Sequence, residues 1–155
     1  MRLSKNFVLS EITRSNTAKR LNISNEPTKE HLHNMQMLIG NLIQPMRDRI
    51  GPIRISSGYR SKELNRAIGG STKSQHCKGE ALDLQFWAEG EMNNKVIYDW
   101  ILNSGLEFDQ MINEFDFAWI HISLKSKGNR KQVLEAYYDE DGDTKYRYAD
   151  VKPSI

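Results

Sequence analysis

Ala81-Leu82-Asp83-Leu84-Gln85-Phe86 places large apolar side chains at every second position, and Ala118-Trp119-Ile120-His121-Ile122-Ser123-Leu124 does the same further along. Successive side chains of a strand point to opposite faces, so this spacing predicts two strands with one apolar face each. Leu82, Leu84 and Phe86, with Ala118, Ile120, Ile122 and Leu124, are the expected core faces. Asp83 and His121 then project from the other side. His76 lies just upstream, in Ser74-Gln75-His76-Cys77-Lys78-Gly79-Glu80, and a loop there can fold over to bring it to them. Two imidazoles and one carboxylate are the ligand set of a catalytic zinc ion that keeps one position open for water. Such an ion lowers the pKa of bound water and polarises a carbonyl. If the three side chains converge, the chain is a metallohydrolase.

Outward from these strands the pattern changes. Asn25-Glu26-Pro27-Thr28 opens a long helix in which Leu32, Met35, Leu38, Ile39, Leu42, Ile43 and Met46 recur at helical steps, and Gly51-Pro52 stops it. Shorter helical signals start at Ser10 and near Ser15-Asn16. Ile53 to Ser56 predicts a strand before the Ser57-Gly58 turn, Ser61 caps a helix to about Ile68, and residues 69–80 read as a loop. A helix is expected from about Met92 to Asn103, stopped by Gly105. Phe108 to Asn113 pairs with the His121 strand across a turn near Phe115-Asp116, and a last hairpin crosses Asp141-Gly142. The expected class is therefore α+β, a mostly antiparallel sheet with the N-terminal helices packed on one side.

Composition narrows the field without choosing within it. A length of 155 residues favours one domain, 1–155, large enough to bury a core. A net charge of +2 is mildly basic and does not call for nucleic acid. No apolar run is long enough to span a bilayer, and Met1 to Ser10 lacks the regions of a signal peptide, so cytoplasmic synthesis is expected. The lone Cys77 agrees with that and reads as packing, since a fourth protein ligand would close a catalytic zinc site. His31 and His33 read as solvated helix residues. Asp139-Glu140-Asp141-Gly142-Asp143 lacks the length and final Glu of an EF-hand loop and reads as a solvated turn.

Ser74-x-His76-x-x-Gly79-x-Ala81-x-Asp83, followed by Trp119-x-His121, resembles the signature of the zinc D-Ala-D-Ala carboxypeptidases and L-alanyl-D-glutamate endopeptidases. That family shares its fold with the hedgehog signalling domain and with lysostaphin-type enzymes. Ser57-Gly58-Tyr59-Arg60-Ser61 with Asn65 and Gly69-Gly70 fits the same pattern. So do Phe7 to Glu11, Ser15, Ala18 and Gln44-Pro45-Met46-Arg47, which resemble the compact branch common in phages and prophages.

The resemblance implies Zn²⁺ held by His76, Asp83 and His121, and a substrate drawn from peptidoglycan stem peptides. It also implies a further carboxylate as general base. Several relatives carry that acid three residues before the last His, where this chain has Ala118. Glu114 is then the first candidate and Asp116 the second. Arg60 is expected in the substrate cleft as a two-point donor to a carboxylate or polarised carbonyl. Ser74 is expected to support the ligands or substrate, and Trp119 to line the cleft. Carboxypeptidase and endopeptidase (endolysin) activities remain open. So does a non-catalytic zinc-containing module binding the wall or another protein. The chain is expected to work as a monomer, reaching the wall through phage lysis machinery or a virion.

Overall fold

The computed structural model describes residues 1–154. Its centre is a six-stranded sheet built from β1 (Arg54–Ser57), β2 (Ala81–Gln85), β5 (Gln110–Glu114), β6 (Trp119–Ser123), β7 (Gln132–Tyr138) and β8 (Thr144–Tyr148), in the order β1-β2-β6-β5-β7-β8. A separate two-stranded ribbon joins β3 (Trp87–Ala88) to β4 (Glu91–Met92). All neighbours run antiparallel except β5 and β7. The parallel step has a topological cause. β2 already occupies the outer edge of β6, so the chain leaving β6 must cross the end of the sheet and join the free edge of β5.

The expected alternation holds. Leu82, Leu84, Ile120 and Ile122 are buried in one core with Met35, Leu38, Ile39, Leu42 and Met46 of the helical layer. That layer comprises α1 (Leu9–Thr13), α2 (Asn16–Leu21), α3 (Lys29–Leu38) and α4 (Gln44–Ile50), with α5 (Lys95–Ser104) packed beside α4. Each fully buried Leu, Ile or Met adds on the order of 2 kcal/mol of transfer free energy, so the helices hold this face of the sheet shut.

Three local expectations are refined. The long helix runs from Lys29 to Ile50 as expected, but Ile39–Ile43 opens into a wider π-helical turn before α4. Pro45 has no N–H and its ring crowds the carbonyl four residues back, and the widened turn accommodates both. The helix expected from Met92 starts at Lys95, because Met92 pairs with Trp87 across a turn in which Glu89 and Gly90 take φ of 53° and 82°. His31 is not simply solvated: its Nδ1 sits 3.0 Å from the Tyr59 hydroxyl.

Two glycines set how closely the layers approach. Gly79 has φ of 73°, and a Cβ there would be driven into the carbonyl oxygen of His31. A Cβ on Gly58 would strike the carbonyl of Ile12. Both contacts press the loops carrying His76 and Arg60 against the helices. Gly79→Ala should therefore destabilise the protein by roughly 2 kcal/mol or more, combining the left-handed backbone penalty with the clash. Urea unfolding measures this, and a loss under about 0.5 kcal/mol would show that the helix can move away.

Candidate metal centre and cleft

Asp83 and His121 are direct cross-strand partners on β2 and β6, on the face turned away from the helices. Asp83 Oδ1 lies 3.1 Å from His121 Nδ1 and 3.3 Å from His76 Nε2. His76 comes from a short 3₁₀ turn, Gln75–Lys78, whose first free amides are capped by Ser74: its Oγ accepts from the His76 N–H at 3.2 Å. One ligand atom from each of the three residues lies within 4.8 Å of the others. Tetrahedral zinc with bonds of about 2.0–2.2 Å sets neighbouring donor atoms roughly 3.3–3.5 Å apart, so the observed spacings suit it.

The proton positions support the same reading. His76 Nδ1 lies 2.8 Å from the carbonyl of Gly58, which can only accept, so Nδ1 carries the hydrogen. In the neutral ring Nε2 then aims a lone pair at the Asp83 carboxylate. That arrangement is repulsive unless a proton or a cation stands between the two. Burial works against ionising Asp83, yet positive charge on the His76 and His121 side and the hydrogen bonds from those rings hold its carboxyl well below the usual range. The residues present therefore fit a divalent ion.

Around this group runs a cleft of about 890 Å³, lined by Arg60, Lys73, Ser74, Glu114, Trp119, Arg130 and Tyr146 among others. Glu114 ends β5, paired with Trp119, and is 8% exposed. Burial pushes its carboxyl up to about 7, with His121 opposing the rise and Asp83 adding to it. Asp116 lies elsewhere. It is exposed in the turn after β5, with φ of 54°, and borders a different hollow. Ala118 carries no acid, and its carbonyl accepts from Gln85 and Asn94.

Arg60 is half-buried. Its backbone N–H donates to the His76 carbonyl at 3.1 Å, which couples the two loops. One terminal nitrogen donates to Ser74 Oγ at 3.3 Å, and its buried Nε has no partner. Among the described residues no carboxylate pairs with it. Burial lowers its pKa, with Asp83 and Cys77 opposing. Such a guanidinium has N–H groups left to donate to an anion or a carbonyl.

The model of the Peptidase M15 family matches residues 5–123. The chain belongs to this family. Peptidase M15 proteins are zinc-dependent metallopeptidases, which accords with the His76–Asp83–His121 group. No curated protein sequence matches the chain significantly. The matched segment contains His76, Asp83 and His121 but ends at β6, so the whole of β7 and β8 lies beyond it.

Four residues around the cleft carried little or no signal in the sequence. Asn94 is buried, accepts from the Phe86 amide at 2.8 Å and donates to the carbonyls of Phe117 and Ala118 at 2.8 and 3.0 Å, so it holds the turn leading into Trp119. Asp109 and Arg130 form an ion pair at the cleft's edge. Tyr146 reaches the cleft from β8. A lone Asn before a helix was the one available signal, because the others depend on β7 returning beside β5. Cys77 is not in the ligand group. The carboxylates of Asp139, Asp141 and Asp143 approach one another, but Asp139 Oδ1 accepts the amides of Asp141 and Asp143 at 2.9 Å each and so builds the hairpin turn.

Two outcomes follow from this geometry. His76→Ala and His121→Ala should each lose stoichiometric zinc in metal analysis of the purified proteins, and full retention by both would contradict the ligand assignment. Glu114 binds its proton more tightly folded than unfolded, so its contribution to stability is complete below the ordinary glutamate pKa of about 4.3 and fades as pH rises toward 7. In metal-free protein, Glu114→Gln should gain on the order of 2 kcal/mol over wild type at pH 8. That gain should vanish near pH 4. An equal gain at both pH values would mean that charge burial is not its cause.

Proposed function

We propose that the chain is a zinc peptidase that hydrolyses peptide bonds in the stem peptides of bacterial peptidoglycan, as a D,D-carboxypeptidase or an L-Ala–D-Glu-type endopeptidase. The observation that carries this reading is the buried Glu114 beside a His76–Asp83–His121 group of zinc spacing, in one cleft. His76 Nε2, Asp83 Oδ1 and His121 Nδ1 would hold the ion. When bound, zinc supplies a Lewis acid and a water of lowered pKa.

The remaining chemistry belongs to the chain. Glu114 takes the proton from the attacking water on its carboxylate and delivers it to the nitrogen of the leaving amine. A carboxyl held near neutrality is suited to both halves of that transfer, and a cation beside it lowers its pKa, keeping it ionised at pH 7. Its place on β5 makes Ala118 tolerable, since the acid enters from the neighbouring strand and not from the turn three residues before His121. Arg60 donates its N–H groups to a substrate carboxylate or to the carbonyl under attack. Ser74 positions both His76 and Arg60, through the two hydrogen bonds to its Oγ. Trp119 forms part of the wall.

Purified zinc-loaded protein should release new amino groups from peptidoglycan, and Glu114→Ala should slow that release roughly 10²–10⁴-fold while keeping its zinc. Mass spectrometry of the fragments identifies the bond cut. Wild-type protein that binds wall material and releases nothing would instead make this a binding module that retains the metal fold, the outcome Ala118 keeps open.

A further inference from the structure

Asp109 is fully buried, at 0% side-chain exposure, just before β5. A buried carboxylate is costly without partners, and this one has four donors. Arg130 offers Nε to Oδ1 at 3.0 Å, a terminal nitrogen to Oδ2 at 2.8 Å and its own backbone N–H to Oδ1 at 3.1 Å. Gln75, in the turn that carries His76, adds its side-chain amide to Oδ2 at 3.1 Å. These bonds hold down the segment that crosses from β6 to β7, and they lower the Asp109 pKa against its burial.

They also orient Arg130. One edge of its guanidinium is fixed on Asp109, while the side chain remains 50% exposed and lines the cleft that contains His76, Asp83, Glu114 and His121. Its other terminal nitrogen makes no hydrogen bond among the described residues. A guanidinium clamped on one edge has already lost most of its rotamer freedom, so little further ordering opposes binding at its open edge. The surroundings match that use. Gln110 donates to Gln132 at 2.6 Å and Gln132 donates to the Tyr148 hydroxyl at 3.0 Å, giving a polar wall along the starts of β5 and β7. Lys73 and Arg60 add positive charge to the same cleft.

Resting on the peptidase reading above, we propose that Arg130 is a second anion-binding group of the cleft, presenting the open edge of its guanidinium to a substrate carboxylate some distance from the bond that is cut. Asp109 lies three positions before Ile112, which is the cross-strand partner of His121. At ~3.3 Å per strand residue that is on the order of 10 Å, the length of two to three residues of extended peptide. A stem-peptide carboxylate at that span is the glutamate α-carboxylate, which stands two residues before a D-Ala–D-Ala bond. Arg130 lies outside the segment matched to the family, so it tunes which peptidoglycan this chain accepts and leaves the metal chemistry to His76, Asp83 and His121.

The test is calorimetric binding in a zinc-loaded Glu114→Gln background, with L-Ala–γ-D-Glu–L-Lys–D-Ala–D-Ala and the same peptide carrying a carboxamide in place of the glutamate α-carboxylate. Arg130→Gln should weaken binding of the acid about tenfold, the loss of one charge-assisted contact, and change binding of the amide by less than about twofold. Removing Arg130 strands the Asp109 charge, so the Asp109→Asn/Arg130→Gln double variant is measured as well and should show the same loss of selectivity. Equal weakening of both peptides in both variants, no weakening, or no measurable binding of either peptide by the Glu114→Gln protein overturns the proposal. Release of amino groups from peptidoglycan by the wild type is assayed in parallel. Its absence alongside Arg130-dependent binding would remove the peptidase reading and leave the anion site standing.

Discussion

Two imidazole nitrogens and a carboxylate oxygen converge in one half-buried corner of this protein, at 3.1 and 3.3 Å. With His76 Nδ1 committed to the Gly58 carbonyl, its neutral ring turns a lone pair on the Asp83 carboxylate, and a proton or a cation between those two atoms makes the contact favourable. Much of the surrounding structure exists to hold that contact. Gly58 and Gly79 let two loops lie directly on helix backbone, and Ser74 caps the turn that presents His76. The six-stranded sheet keeps Asp83 and His121 in register, while the apolar residues between them are clamped by the helical layer.

The sheet divides labour between its faces. One face is apolar and sealed by helices; the other collects Asp83, His121 and Glu114 in a cleft. Glu114 sits just before a turn in which Phe115, Asp116 and Phe117 all take positive φ, a conformation unfavourable for side chains of this size. Asn113 accepts the Phe117 amide at 2.6 Å and Asn94 ties the far end, so two amides stabilise the turn. Strain of this kind persists where neighbours over-determine it, and here it allows a buried acid and Trp119 to face each other across one tight connection.

The parts legible in the sequence were those governed by local period. Leu82, Leu84, Ile120 and Ile122 announced their strands and their burial, and the same alternation turned Asp83 and His121 away from the core. Gly79, Ser74 and Gly58 were visible as motif members, although their physical purpose appears only against the helix backbone. The widened turn before Pro45 and the Glu89-Gly90 turn carried local signals that the helical periodicity on either side outweighed. His31 read as solvent-facing because nothing near it in sequence foretells Tyr59.

Chain order by itself determined the alternating faces and the positions of the turns, since each depends on residues within a few positions of one another. It supplied two imidazoles and a carboxylate in His76, Asp83 and His121 without bringing His121 to the other two. Tertiary structure alone decided that Glu114 and not Asp116 enters the cleft, that β7 runs parallel to β5, and that Asp109 clamps Arg130 at the rim. Those outcomes depend on which strand edge is already occupied and on how far water is excluded from a carboxylate. Both are set by contacts between segments far apart in the chain, and no local pattern encodes them.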